Sequence, residues 1–126
     1  MTYHRALQTT NNLYLFLEFC DQGDLSSFIK KRRPAVSPQS PQTLFLDEVE
    51  ASYIIRDVVR GLGHLSKVCG IMHRDIKLDN ILVKLKRGSQ QRLPRGASPS
   101  RDLAIDHFEF KLGDSRNLTS LRGHQF

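Results

Sequence analysis

Apolar and polar positions divide the chain into patterned stretches separated by turn-rich text. Asn12 to Phe19 is nearly continuous in Leu, Tyr and Phe, the pattern of a strand buried on both faces. Asp21-Gln22-Gly23 has turn chemistry, and Asp24 is placed to cap a short helix from Leu25 to about Lys31. From Lys30 to Thr43 the text becomes Lys-Lys-Arg-Arg followed by Pro, Ser and Gln, which predicts an exposed loop. The longest periodic segment follows, with Asp47 as N-cap, Glu50 three residues on, and Ala51, Ile54, Ile55, Val58, Leu62 and Leu65 at helical spacing. That stripe reads as core rather than as a cofactor site, and Gly70 stands where a helix ends. Gly61 and Gly63 each cost a helix roughly 1 kcal/mol against Ala, so they predict close approach of another element. Ile81-Leu82-Val83 suits a short buried strand, and Phe108 to Leu112 alternates as a strand with one buried face. If these two pair antiparallel, Asn80 before the first and Asp114 after the second converge at roughly the 5 Å scale of opposed strand positions.

Composition changes this picture little. A chain of 126 residues is expected to form one small domain, and it contains no apolar run of membrane-spanning length and no signal peptide. The expected location is therefore cytoplasmic or nuclear. Cys20 and Cys69 lack metal-ligand spacing and read as reduced thiols, and the glycosylation sequon at Asn117 carries little meaning in that setting. The net charge of +6 is local: Lys84 to Arg101 holds six basic residues and no acid, while 13 basic residues balance 13 acidic ones elsewhere. This Gly/Ser/Pro-rich stretch predicts a disordered basic insert, with an acidic partner, anionic lipid or nucleic acid as weaker readings.

Residues 73 to 80, His-Arg-Asp-Ile-Lys-Leu-Asp-Asn, carry the chemistry. A hydroxyl attacking a terminal phosphate must be oriented and relieved of its proton, which suits the carboxylate of Asp75. Charge spread over the transferring oxygens is stabilised by a fixed cation, and Lys77 lies on the same short loop. Magnesium prefers oxygen ligands, which the amide of Asn80 and the carboxylate of Asp114 would supply. Arg74 would be structural, or a receiver for a phosphorylated loop. A solvated charged turn is the plain alternative for His-Arg-Asp alone. The flanks favour the catalytic reading, since Gly70-Ile71-Met72 leads in from a helix end and Ile81-Leu82-Val83 leads out as a strand.

The octapeptide matches the catalytic-loop pattern His-Arg-Asp-x-x-x-x-Asn of protein kinases, and the Lys two places after the Asp narrows the resemblance to Ser/Thr kinases. Residues 12–83 and 108–116, about two thirds of the sequence, resemble that fold from the strand before the hinge to the magnesium-binding Asp. The run from Tyr14 to Leu25 looks most like the autophagy-initiating subfamily. The resemblance implies an α+β kinase-like fold with inserted loops at 32–43 and 84–107 and a non-matching tail at 117–126. It implies Leu17 as gatekeeper behind an adenine, the backbone of Glu18 and Cys20 pairing with the adenine edge, Asp24 near the ribose and Leu82 beneath the base. ATP and magnesium are the implied cofactors, and a protein Ser or Thr hydroxyl the acceptor. Each hinge residue taken singly is as well explained by an ordinary buried strand and turn.

Three departures limit that likeness. Nothing before Asn12 supplies the Gly-rich phosphate loop, the strand Lys or its Glu partner. The expected Asp-Phe-Gly reads Asp114-Ser115-Arg116, as a substitution or a two-residue loss. No Ala-Pro-Glu segment precedes Phe126. Positioning is nearly all of phosphoryl-transfer catalysis, so the expectation is a partial Ser/Thr kinase domain with negligible activity alone. The alternatives are a pseudokinase or decoy interaction module and, ranked below it, a binder of nucleic acid or acidic surfaces through the insert. Nucleic acid is disfavoured because the insert has no interleaved aromatics. Ser37-Pro38, Ser40-Pro41 and Ser98-Pro99 are candidate phosphorylation sites, although loop composition also explains them.

Overall fold

The computed structural model describes residues 2–32 and 46–113, and the backbone of 119–120. Asp114, Ser115, Arg116, Ser37, Ser40 and the Asn117 sequon lie outside the described residues.

Two antiparallel strands, β1 (Tyr3–Gln8) and β2 (Leu13–Leu17), form a hairpin in the register Gln8↔Leu13 to Tyr3↔Leu17. The chain then turns through Gly23, at φ 79°, into the two-residue strand β3 (Gly23–Asp24) and helix α1 (Leu25–Arg32). Asp24 caps that helix as expected: its Oδ1 accepts the Ser27 N–H at 2.8 Å, and the Ser27 hydroxyl donates to Oδ2 at 2.9 Å. Helix α2 (Glu48–His64) opens on a complete capping box, with the Glu50 N–H donating to Asp47 Oδ1 at 2.7 Å and the Asp47 N–H reaching Glu50 Oε2. It runs on into a π-helical turn, Leu65–Cys69, and Gly70 ends it in the left-handed conformation at φ 65°.

Strands β4 (Ile71–Met72), β5 (Ile81–Leu85), β6 (Phe108–Leu112) and β7 (Thr119–Ser120) complete the sheets, with the short helix α3 (Pro99–Asp102) between β5 and β6. The order β3-β5-β6 is antiparallel throughout, with Gly23↔Val83 on one side and Ile81↔Leu112 to Leu85↔Phe108 on the other. β4 pairs with β7. The inward face of this sheet, Ile81, Val83, Leu85, Phe108 and Phe110, packs on Leu25 and Phe28 of α1 and Ile54 and Val58 of α2. Phe28 is wholly buried and meets Phe108 edge-on at 4.8 Å between ring centres.

Several expectations need correction. β2 is not buried on both faces; all five of its residues are exposed, because β1 pairs with it edge to edge and the described residues supply no layer to cover it. Ile55 is 60% exposed, since the stripe that meets the sheet is carried by Ile54 and Val58 and Ile55 lies off it. A Cβ on Gly61 would stand 3.1 Å from Leu112 Cδ1, so close approach holds there, but Gly63 has open space around it. The basic stretch is ordered into short turns and α3. Its continuation sends Leu103 and Ile105 into the core, while the Lys86 ammonium donates to the Asp106 carbonyl.

Candidate active site

The loop joining β4 to β5 carries the octapeptide, and contacts from three directions fix its path. His73 is buried, with Nε2 2.8 Å from the Gly113 carbonyl. Because that partner is a carbonyl, Nε2 holds the proton, and the buried Nδ1 has no hydrogen-bond partner among the described residues. Arg74 lies at φ 63°, a left-handed conformation that costs a non-glycine residue roughly 1–2 kcal/mol and persists only where the surroundings dictate it. Leu78 to Asn80 forms a 3-10 turn in which the Asn80 N–H donates to the Lys77 carbonyl at 3.0 Å. The Gly113 N–H donates to the Asn80 carbonyl at 2.8 Å, so the entry to β5 and the exit of β6 are tied together.

On this frame the three expected catalytic side chains converge. Asp75 Oδ2 accepts from Lys77 Nζ at 2.9 Å and from Asn80 Nδ2 at 2.8 Å, and Nδ2 also donates to the Asp75 backbone carbonyl at 3.0 Å. The Asn80 residue is buried, whereas the side chains of Asp75 and Lys77 are 26% and 50% exposed. The acid is therefore oriented from behind and reachable from in front. Asp114 lies beyond Gly113, outside the described residues. Among the described residues no three His, Cys, Asp or Glu side chains cluster as a metal cage.

The hinge candidates are placed by the β3–β5–β6 sheet. Asp24 and Leu82 are direct register partners, and Leu82 in turn pairs with Lys111. The Gln22 N–H donates to the Val83 carbonyl at 3.1 Å, and Asp21 Oδ1 accepts the Leu85 N–H at 2.9 Å, which docks the hinge on β5. Cys20 is buried, and that burial, with the Glu18 carboxylate next in effect, raises its thiol above the usual range. The Asp24 carboxyl is held below its usual range, first by the Ser27 backbone N–H, so its oxygens already serve the helix cap. Leu17 projects into a cavity of about 740 Å³ between the hairpin and the C-terminal end of α2, lined also by Tyr3, Leu15, Gly61, His73 and Leu112.

Sequence reading missed the ion cluster beneath the hinge. The Glu18 carboxylate takes hydrogen bonds from Lys84 Nζ at 2.9 Å and from Lys111 Nζ at 2.7 and 2.8 Å, as well as from the Thr2 N–H. Its side chain is only 6% exposed. Burial pushes the carboxyl up, but the bonds from Lys111 and Lys84 outweigh it and hold the group at about 2. Register places Lys84 and Lys111 on one sheet face with Glu109, which itself pairs with Lys111 at 3.1 Å, so nothing in the local sequence signals that Glu18 joins them.

Residues 1–93 match the family model of the protein kinase domain. The chain belongs to the protein kinase family. Among its relatives are the mouse hormonally up-regulated neu tumor-associated kinase, 34% identical over 77 residues, and the zebrafish serine/threonine-protein kinase PLK4, 36% identical over 80 residues. The fission-yeast serine/threonine-protein kinase ppk18 is 38% identical over 80 residues. These alignments take in 61%, 64% and 64% of this chain but only 9%, 7% and 5% of the respective relatives. The kinase match begins at residue 1, so the hairpin strand β1 belongs to the family region that the sequence reading started at Asn12. The α+β architecture agrees with this kinase assignment.

Proposed function

We propose that the loop serves ATP-dependent phosphoryl transfer to a protein Ser or Thr hydroxyl. The observation that carries this reading is the Asp75–Lys77–Asn80 cluster, in which one carboxylate oxygen takes both side-chain donors while the acid stays open to solvent. Asp75 orients the acceptor hydroxyl and receives its proton, and Lys77 places a cation beside the transferring oxygens. Asn80 spends its NH₂ group on Asp75, which leaves the amide oxygen as its magnesium donor, with Asp114 as the second protein ligand. So sparse a donor set fits magnesium, which keeps waters and takes phosphate oxygens, and the ion when bound neutralises charge on the phosphates. The adenine would lie against the backbone of Glu18 and Cys20 with Leu82 beneath it, Leu17 behind it and Asp24 toward the ribose.

The test is the melting temperature of the chain with ATP, with and without magnesium. At a hundredfold excess over Kd, binding stabilises by about 2.7 kcal/mol, a shift of several degrees. Asn80→Ala and Asp114→Ala are expected to abolish the magnesium-dependent part of the shift. A folded preparation showing no shift sinks the proposal. The Asp114-Ser115-Arg116 sequence favours a second reading, an interaction module without catalysis. A nucleotide shift indifferent to magnesium, or none at all, together with a bound protein partner would select it.

A further inference from the structure

Ser98 is the N-terminal flanking residue of α3, half-buried and extended at φ −98°, ψ 120°, as a residue before proline tends to be. Its N–H donates to Asp102 Oδ2 at 2.7 Å, and its hydroxyl lies 3.2 Å from the Oγ of buried Ser100. Its carbonyl accepts the N–H groups of Arg101 and Asp102, and that of Pro99 accepts the N–H of Leu103. Within the segment these few bonds close a helix of only four residues, and the remaining hold comes from Arg32 and from the burial of Ser100 and Leu103, so its opening is a local event. Opened, the segment Arg95-Gly96-Ala97-Ser98-Pro99-Ser100-Arg101 presents a hydroxyl with an exposed arginine three residues away on either side and a proline next to it. A cationic extended segment of this kind fits an acidic substrate cleft.

We propose that Ser98 is a phosphorylation site for a separate Ser/Thr kinase, and that its phosphate opens α3 by repelling Asp102. In the transfer, Ser98 Oγ forms a bond to the γ-phosphorus of ATP as the bond to the ADP oxygen breaks. The hydroxyl proton passes to the acting enzyme's base and then to solvent. The product places about two negative charges beside the Asp102 carboxylate and removes the hydroxyl contact with Ser100. Arg95, Arg101 and Asp102 are all exposed, so water screens the three charges alike, and Asp102 prevails by proximity because its carboxylate is already bonded to the Ser98 N–H at 2.7 Å.

The consequence reaches two other helices. Arg32, at the end of α1, donates through Nη1 to the carbonyls of Ser100 and Leu103 at 3.1 and 3.0 Å, and its Nη2 pairs with Glu50 in α2. Opening α3 removes the two carbonyl acceptors that hold this guanidinium between the helices. Modification of Ser98 thus loosens the junction of α1, α2 and the segment leading into β6.

The full chain is treated with ATP and either a proline-directed or an arginine-directed Ser/Thr kinase. Phosphate is then mapped by peptide mass spectrometry, and amide hydrogen exchange is compared before and after. The expected result is phosphate on Ser98 and exchange at Arg101, Asp102 and Leu103 faster by at least about tenfold. Asp102→Asn keeps an oxygen for the Ser98 N–H but removes the charge, so phosphate should accelerate exchange less in that variant. Recovery of Ser98 unmodified by both kinases overturns the proposal. So does modified Ser98 with unchanged exchange, or an equal acceleration in the Asn variant.

Discussion

Asn80 does its structural work before any ligand is considered, because its one NH₂ group donates to both the carbonyl and a carboxylate oxygen of Asp75. Asn80→Ala removes that donor from a part-buried carbonyl, which costs about 1 kcal/mol and is measurable as a lower urea midpoint. Glu18 makes an opposite kind of prediction, one of pH. Its carboxyl falls from an ordinary 4.5 to about 2 on folding, so between those values the unfolded chain binds the extra proton. The stabilisation is therefore present above pH 4.5 and is lost as pH falls toward 2. It is on the order of 3 kcal/mol at most. Asp24, also lowered, adds loss in the same direction. In Glu18→Gln the fall in stability over this window should be visibly shallower; an unchanged acid profile would show that the two lysines do not set it. At this scale Asp75, Lys77 and Asn80 were legible because one short loop holds all three. Glu18, Lys84 and Lys111 were not, because their meeting depends on strand register across 93 positions of chain.

Elements were legible where their signals are local. The caps at Asp24 and Asp47 and the stop at Gly70 each act within about four residues, and the structure places them where the sequence does. The order of the basic stretch was hidden, since it rests on bonds between distant residues such as Arg32 to Ser100 and Leu103. The exposure of β2 was hidden for the same reason: an apolar run states what a strand would bury, not whether a partner layer is there. The two glycines of α2 separate these effects experimentally. Gly63→Ala gains helix propensity in open space and should stabilise by about 0.5–1 kcal/mol, raising the melting temperature. Gly61→Ala gains the same propensity but presses a methyl to 3.1 Å from Leu112 Cδ1, in the strand that leads to Gly113. Its melting temperature should fall below that of Gly63→Ala; equal values would mean that Leu112 yields freely.

The whole molecule is unevenly packed. All eleven residues of the core cluster belong to α1, α2, β5, β6 and the 103–105 segment, and none comes from the hairpin. The hairpin side instead exposes Leu13, Tyr14, Leu15, Phe16, Leu17 and Phe19, with Phe19 at 81%. It is joined to the core mainly through the Glu18 ion cluster and the docking of the hinge on β5. An apolar face of this extent drives association in water. Sedimentation velocity of the chain at rising concentration should therefore show a growing fraction above monomer. Side chains alternate along β2, so Tyr14 and Phe16 share one face, opposite to the Leu15 and Leu17 face that lines the cavity. Placing Lys at both Tyr14 and Phe16 puts two like charges on that outer face without touching a core residue. The double variant should remain monomeric and keep the near-ultraviolet signal of the Phe28, Phe108 and Phe110 cluster. If it associates as before, the contact surface lies elsewhere; if the parent is monomeric at every concentration, the exposed hairpin is not sticky and this account of it is wrong.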